Sequence, residues 1–175
     1  MSETHLLRLV LMRHAKAAYP LGVADHDRPL AQRGHADAAV AGRWLLENSV
    51  IPDFILCSSA LRARQSCTWV CQQLGDKAPT AKLEDRLYAA SAGEMLAVVN
   101  HLPETVRTLL VISHLPGIQE LGLRLASRDS DESAYTNLAM SYPTSALAVF
   151  EYAGTWAGLD GQDARATAFA VPRAA

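Results

Sequence analysis

The sequence predicts an α/β sandwich, with helices covering both faces of a mainly parallel sheet. Two observations carry this reading. Short aliphatic runs alternate with helix-patterned stretches along the whole chain, and the runs are nearly continuous in apolar residues, as strands buried on both faces require. A third, compositional observation agrees: 50% of the 175 residues are hydrophobic and 19% charged, enough apolar material for a packed core and inconsistent with disorder. Only 6% are aromatic, so aliphatic side chains must fill that core. With no repeat, low-complexity tract or linker, residues 1–175 read as one domain.

The elements follow in order. Leu6 to Met12 is a buried strand that stops at Arg13-His14, and a loop rich in turn residues runs on to Pro29. From Leu30 to Glu47, Ala38, Ala41, Leu45 and Leu46 recur at helical spacing. Pro52 breaks the chain before a short strand, Asp53 to Cys57. Ser58-Ser59 then offers an N-cap for a helix from Ala60 to Leu74, which Gly75 ends. Lys82 to Leu87 suits a short edge strand. Ser91 with Glu94 three residues on is a capping-box signature for a helix to about His101. Thr108 to Ile112 is the clearest central strand, followed by a helix to about Ala126. Ser127 to Asn137 is polar, a loop or short helix. Ser145 to Tyr152 is a strand, and Ala164 to Val171 a last edge strand.

Charge excludes some functions. Sixteen basic against eighteen acidic residues leave a net charge of −2, without the basic face that nucleic-acid binding needs. The start, Met1 to His5, is polar and lacks a positive n-region, and the apolar run after it is too short for a signal sequence or a bilayer span. The expectation is a soluble cytoplasmic protein with no membrane partner. Three cysteines, Cys57, Cys67 and Cys71, do not make a disulfide framework. Cys67 and Cys71 lie one helical turn apart, a spacing open to a metal clip but better suited to small buried residues.

The chemistry is concentrated where strands end. Two apolar runs finish in a polar residue followed by histidine: Arg13-His14 and Ser113-His114. In open α/β sheets ligands sit at the carboxyl ends of strands, so both histidines lie where a site belongs. A third strand leads directly into Leu61-Arg62-Ala63-Arg64-Gln65, placing an arginine on the first turn of a helix. Arginines and helix N-termini both favour phosphate. There is no GxxxxGK phosphate loop. A histidine pair lacking a third ligand at helical spacing is poor for zinc, and adjacent arginines repel a cation, so no metal or other cofactor is expected. What fits is transfer of an anionic group to a histidine.

Arg13-His14 after a strand, Ser59-x-x-Arg62-Ala63-x-Gln65-Ser66, and Ser113-His114 after a strand together resemble the histidine phosphatase (phosphoglycerate mutase-like) superfamily. Asp27-Arg28-Pro29-Leu30-x-x-Arg33-Gly34, Leu87-Tyr88-x-Ala90-Ser91, His114-x-Pro116-Gly117 and Pro143-Thr144 look like its SixA-type phosphohistidine phosphatase branch. The resemblance covers nearly the whole chain. It implies a single-domain three-layer α/β/α sandwich and a phosphohistidine enzyme intermediate. It makes His14 the nucleophile and puts Arg13, Arg62 and His114 on the phosphoryl oxygens. Arg28 either reaches the site from its loop or pairs with Asp25 or Asp27. Many members carry a glutamate as general acid; here Asp85 falls nearest that position, with Glu84 beside it, and neither matches closely. An imidazole leaving group, once protonated on its far nitrogen, needs less help than an alcohol, so a phosphatase of P–N bonds tolerates a weak acid position. The expected substrate is therefore phosphohistidine in a protein partner, a phosphotransfer domain or a phosphocarrier. A small phosphorylated metabolite, or a non-catalytic phospho-binding module, is the alternative.

Overall fold

The computed structural model describes residues 6–175; the reading of Met1 to His5 lies outside the described residues. Among them, six strands and five α-helices follow in near alternation: β1 (Leu7–Arg13), α1 (Gln32–Glu47), β2 (Phe54–Ser58), α2 (Leu61–Leu74), β3 (Ala81–Glu84), α3 (Ala92–Asn100), β4 (Thr108–Ser113), α4 (Gly117–Leu125), α5 (Glu132–Met140), β5 (Leu147–Tyr152) and β6 (Arg165–Ala170). The sheet order is β3-β2-β4-β1-β5-β6. The pairings β2·β3, β2·β4 and β1·β4 are parallel, while β5 runs antiparallel to both of its neighbours. This is the mainly parallel, single-domain α/β fold expected. No helix among the described residues is long and apolar enough to cross a membrane.

Alternation along the strands builds two cores, because successive strand side chains point to opposite faces. Leu7, Leu9 and Leu11 of β1, with Leu109 and Val111 of β4, pack under Met95, Val99, Ile118, Leu121 and Leu138 from α3, α4 and α5. Val10, Met12, Leu110 and Ile112 pack on the other face against Ala41, Leu45, Ala63 and Val70 from α1 and α2. Both faces of β1 and β4 are thus dry along their middles, which is why Leu9 to Met12 and Leu109 to Ile112 are continuous apolar runs rather than alternating ones.

Several boundaries move for identifiable reasons. Helix α1 starts at Gln32 rather than Leu30, since Leu30 N–H donates to Gln65 Oε1 (2.7 Å) and Ala31 N–H to Lys16 O (2.8 Å). The capping box of α3 forms as predicted, with Ser91 and Glu94 each bonding the other's backbone. The predicted serine cap of α2 does not form: its N-cap is Ala60, with no side-chain cap, and Ser58 is used elsewhere. The polar stretch after Ser127 becomes α5, capped by Asp131, whose Oδ2 accepts from Ala134 N–H (2.8 Å). β3 ends at Glu84 because Asp85–Leu87 turns into a 3-10 helix. β5 begins at Leu147, two residues later than expected; Ser145 is held in the left-handed region (φ 65°), where strand pairing stops, and its N–H donates to His14 O (3.1 Å).

Candidate active site

Register brings the two histidines together. Arg13 pairs with Ser113 across β1 and β4, so the next residue on each strand, His14 and His114, emerge side by side at the carboxyl edge. Their ring centroids are 5.0 Å apart, and both residues are buried. Ser58, the last residue of neighbouring β2, reaches the same place: its Oγ lies 2.7 Å from His114 Nε2. The first turn of α2 adds Arg62, whose Nε lies 3.4 Å from His14 Nε2.

His14 is fixed by its own backbone. Its Nδ1 lies 2.7 Å from Ala15 O, a carbonyl that can only accept, so the proton sits on Nδ1. Burial holds the ring far below the usual histidine range, at about 3, with His114, Arg62 and Arg13 pushing the same way. The neutral ring therefore turns the lone pair of Nε2 into the site at any ordinary pH. His114 is likewise lowered to about 4, first by burial and then by Arg62. Ser58 Oγ also accepts from Ala60 N–H (3.3 Å); when its hydroxyl donates to His114 Nε2, the ring proton stands on His114 Nδ1. That Nδ1 is buried and has no hydrogen-bond partner among the described residues, and Arg13 Nε is in the same condition. Buried donors without acceptors are costly. Here two of them belong to residues that converge on one site and suit the oxygens of a bound anion. Arg13 is held from behind by Tyr142 O, which accepts from Nη1 (3.0 Å).

The other members of the quoted motifs position this set. Ser66 Oγ accepts from Ala15 N–H (2.9 Å) and donates to Arg62 O (2.8 Å), tying the loop after His14 to the helix that carries Arg62. Gln65 ties Leu30 to the same helix. Ser113 Oγ donates to Leu87 O (2.9 Å) and anchors the segment that brings Tyr88 over His114, their rings 5.6 Å apart.

Of the residues singled out from sequence, His14, His114, Arg13 and Arg62 come together. Arg28 takes the second course considered for it: Nη1 pairs with Asp25 Oδ1 (2.9 Å), Nε donates to Ala18 O (3.0 Å) and the guanidinium covers the Tyr19 ring at 3.6 Å, so it meets the site only through Asp25, which binds Arg62. Asp85 does not join them. It is exposed on the turn after β3, and its carboxylate touches neither histidine. Glu84 is engaged by Arg86 (2.9 and 3.0 Å), which holds it ionised, at about 2. Arg64 bonds Ser59 O, away from the histidines. His26 lies on the loop before α1, partly exposed. Its Nε2 lies 2.9 Å from Ser59 Oγ and its ring meets Tyr88 edge-on at 4.8 Å, on the rim of the site. His35 pairs with Trp69 and His101 with Ala97 O, both away from the site. Asp25 and Tyr88 join the site without having been singled out for it from sequence; Tyr88 lies inside a motif stretch, and Asp25 entered only as a partner for Arg28. The cysteines are free, with Cys67 and Cys71 sulfurs 4.0 Å apart, and no group of three metal-ligating side chains is found among the described residues.

Comparison with known proteins agrees with this geometry. Residues 9–122 match the model of the histidine phosphatase superfamily (branch 1). An uncharacterised protein of Mycobacterium tuberculosis strain H37Rv, Rv1276c, is 43% identical over 163 residues, covering 93% of this chain and 100% of its own. The phosphohistidine phosphatase SixA of Escherichia coli K12 is 31% identical over 111 residues, 63% of this chain and 68% of that one. A solved structure from Nakamurella multipartitia, provisionally named a phosphohistidine phosphatase SixA, superposes with a TM-score of 0.83 at 33% identity, covering 95% of this chain and 96% of the other. These matches support phosphatase activity, and the chain belongs to the histidine phosphatase superfamily, within its SixA-type branch.

Proposed function

We propose that this protein is a metal-independent phosphatase that works through phospho-His14 and removes phosphate from phosphohistidine in a protein partner. The observation that carries the mechanism is the state of His14: neutral, its Nδ1 proton held by Ala15 O, and Nε2 presented 3.4 Å from a guanidinium. Nε2 forms a bond to phosphorus while the bond from phosphorus to the substrate's ring nitrogen breaks. The leaving imidazole departs neutral, because its far nitrogen already carries a proton. Arg13, Arg62 and His114 Nδ1 meet the charge on the equatorial oxygens, so catalysis rests on positioning and electrostatics. Water then attacks phosphorus, releasing inorganic phosphate and restoring His14. Three features support a P–N substrate: the likeness to proteins named for that activity, the placement of Asp85 away from both histidines, and the engagement of Glu84 with Arg86.

The test is phosphate release from a histidine-phosphorylated protein in excess chelator, with wild type and His14→Ala in parallel. Release by wild type alone is expected. Equal release by His14→Ala sinks the nucleophile, and a higher rate on a phosphoserine protein sinks the substrate class.

A further inference from the structure

Arg62 has one guanidinium and two tasks. Its end edge, Nη1 and Nη2, is occupied entirely by a single residue: Nη1 donates to the backbone oxygen of Asp25 (2.7 Å) and Nη2 to Asp25 Oδ2 (3.1 Å). The guanidinium is a rigid planar fork, so two acceptors on its end edge fix its plane and rotation. The flank edge, Nε with the second hydrogen of Nη2, is then turned towards His14 Nε2. Asp25 is itself held from two further sides, by Arg28 Nη1 (2.9 Å) and by Tyr88 O–H, which donates to Oδ2 at 2.5 Å. These partners keep its carboxylate ionised well below the usual range. A carboxylate beside the arginine of an anion site weakens the attraction for phosphate through its own charge. Its presence there calls for a compensating role, and the geometry supplies one.

We infer that Asp25 is a positioning residue: by occupying the end edge of Arg62 from the entrance loop, it aims the flank edge at the phosphoryl group on His14. The inference rests on the phosphatase reading above and adds a residue to it. Asp25 touches no reacting atom and acts only through Arg62. Its side chain is 54% exposed, so removing it leaves no buried hole.

Two quantities move differently if this is right. In Asp25→Ala, Arg62 keeps its charge but loses its aim, so phospho-His14 formation in a single turnover slows by about tenfold or more. Inhibition by inorganic phosphate does not weaken, since a negative charge has left the site. Asp25→Asn keeps an oxygen for Nη2 and recovers to within about threefold of wild type. Arg62→Ala is the reference for a damaged site and loses both turnover and phosphate affinity. An NMR signal from Arg62 Nε–H, sharp in wild type and broadened in Asp25→Ala, reads the aim without any turnover. Wild-type turnover in Asp25→Ala, an unchanged Arg62 signal, or a parallel loss of rate and phosphate affinity overturns the inference. Absence of phospho-His14 in wild type overturns the phosphatase reading instead, while the Arg62 signal still tests Asp25.

Discussion

Replacing Gly34 with alanine sets two effects of known size against each other. Gly34 lies in the first turn of α1, where alanine is intrinsically favoured over glycine by about 1 kcal/mol. A Cβ there, however, would stand 2.1 Å from Lys16 O and 3.0 Å from Lys16 C. Relief to even 3.0 Å needs at least about 0.9 Å of movement, and the obstacle is backbone, which cannot swing aside as a side chain does. Lys16 O also accepts Ala31 N–H at the entry to the helix. Overpacking of this kind costs roughly 1–3 kcal/mol, which matches or exceeds the propensity gain. The net expectation is a loss of up to about 2 kcal/mol, or up to roughly 8 °C in Tm for a chain of this length. The effect on activity is larger, because Lys16 follows Ala15, whose carbonyl holds His14 Nδ1. A displacement near 1 Å at a nucleophile costs on the order of a hundredfold in rate. The assay is kcat/KM with a thermal melt, alongside Gly93→Ala as control. Gly93 is in α3, and a Cβ there meets nothing nearer than 3.9 Å, so that variant gains stability by up to about 1 kcal/mol. A Gly34→Ala protein as stable as wild type, with activity within twofold, refutes the reasoning.

Three further predictions follow from the site. The folded protein holds His14 at about 3 and His114 at about 4, both below the free value near 6.5, so the unfolded chain binds the extra protons between those limits. Their contribution to stability is complete above pH 6.5 and declines as the pH falls towards 3; a melt series should show this decline, and His14→Gln with His114→Gln should flatten it. Ser66→Ala strips Ala15 N–H of its buried acceptor and should cost about 1–3 kcal/mol, measured by denaturant unfolding, together with a drop in kcat. Asp85→Asn should leave turnover of a phosphohistidine protein within twofold of wild type, and a tenfold fall would restore Asp85 as the acid.

The sequence by itself determined the class of fold and singled out four residues, Arg13, His14, Arg62 and His114, that the structure brings together. Continuous apolar runs such as Leu109 to Ile112 require burial on both faces, and that requirement alone dictates helices above and below a mainly parallel sheet. The positions of His14 and His114 at strand ends followed from the same runs. Local rules also held where they were self-contained, as in the capping box of Ser91 and Glu94, whose atoms all lie within one turn. They failed where a distant group competed for the same atom: Ser58 reads locally as a helix cap, but its hydroxyl bonds His114, fifty-six residues away. Asp25, His26 and Tyr88 were illegible as site residues for the same reason, since a loop carries no periodicity and nothing in its composition says which way it folds. Only the tertiary structure lays that loop across the first turn of α2, and so decides that a carboxylate on the rim holds the arginine beside His14.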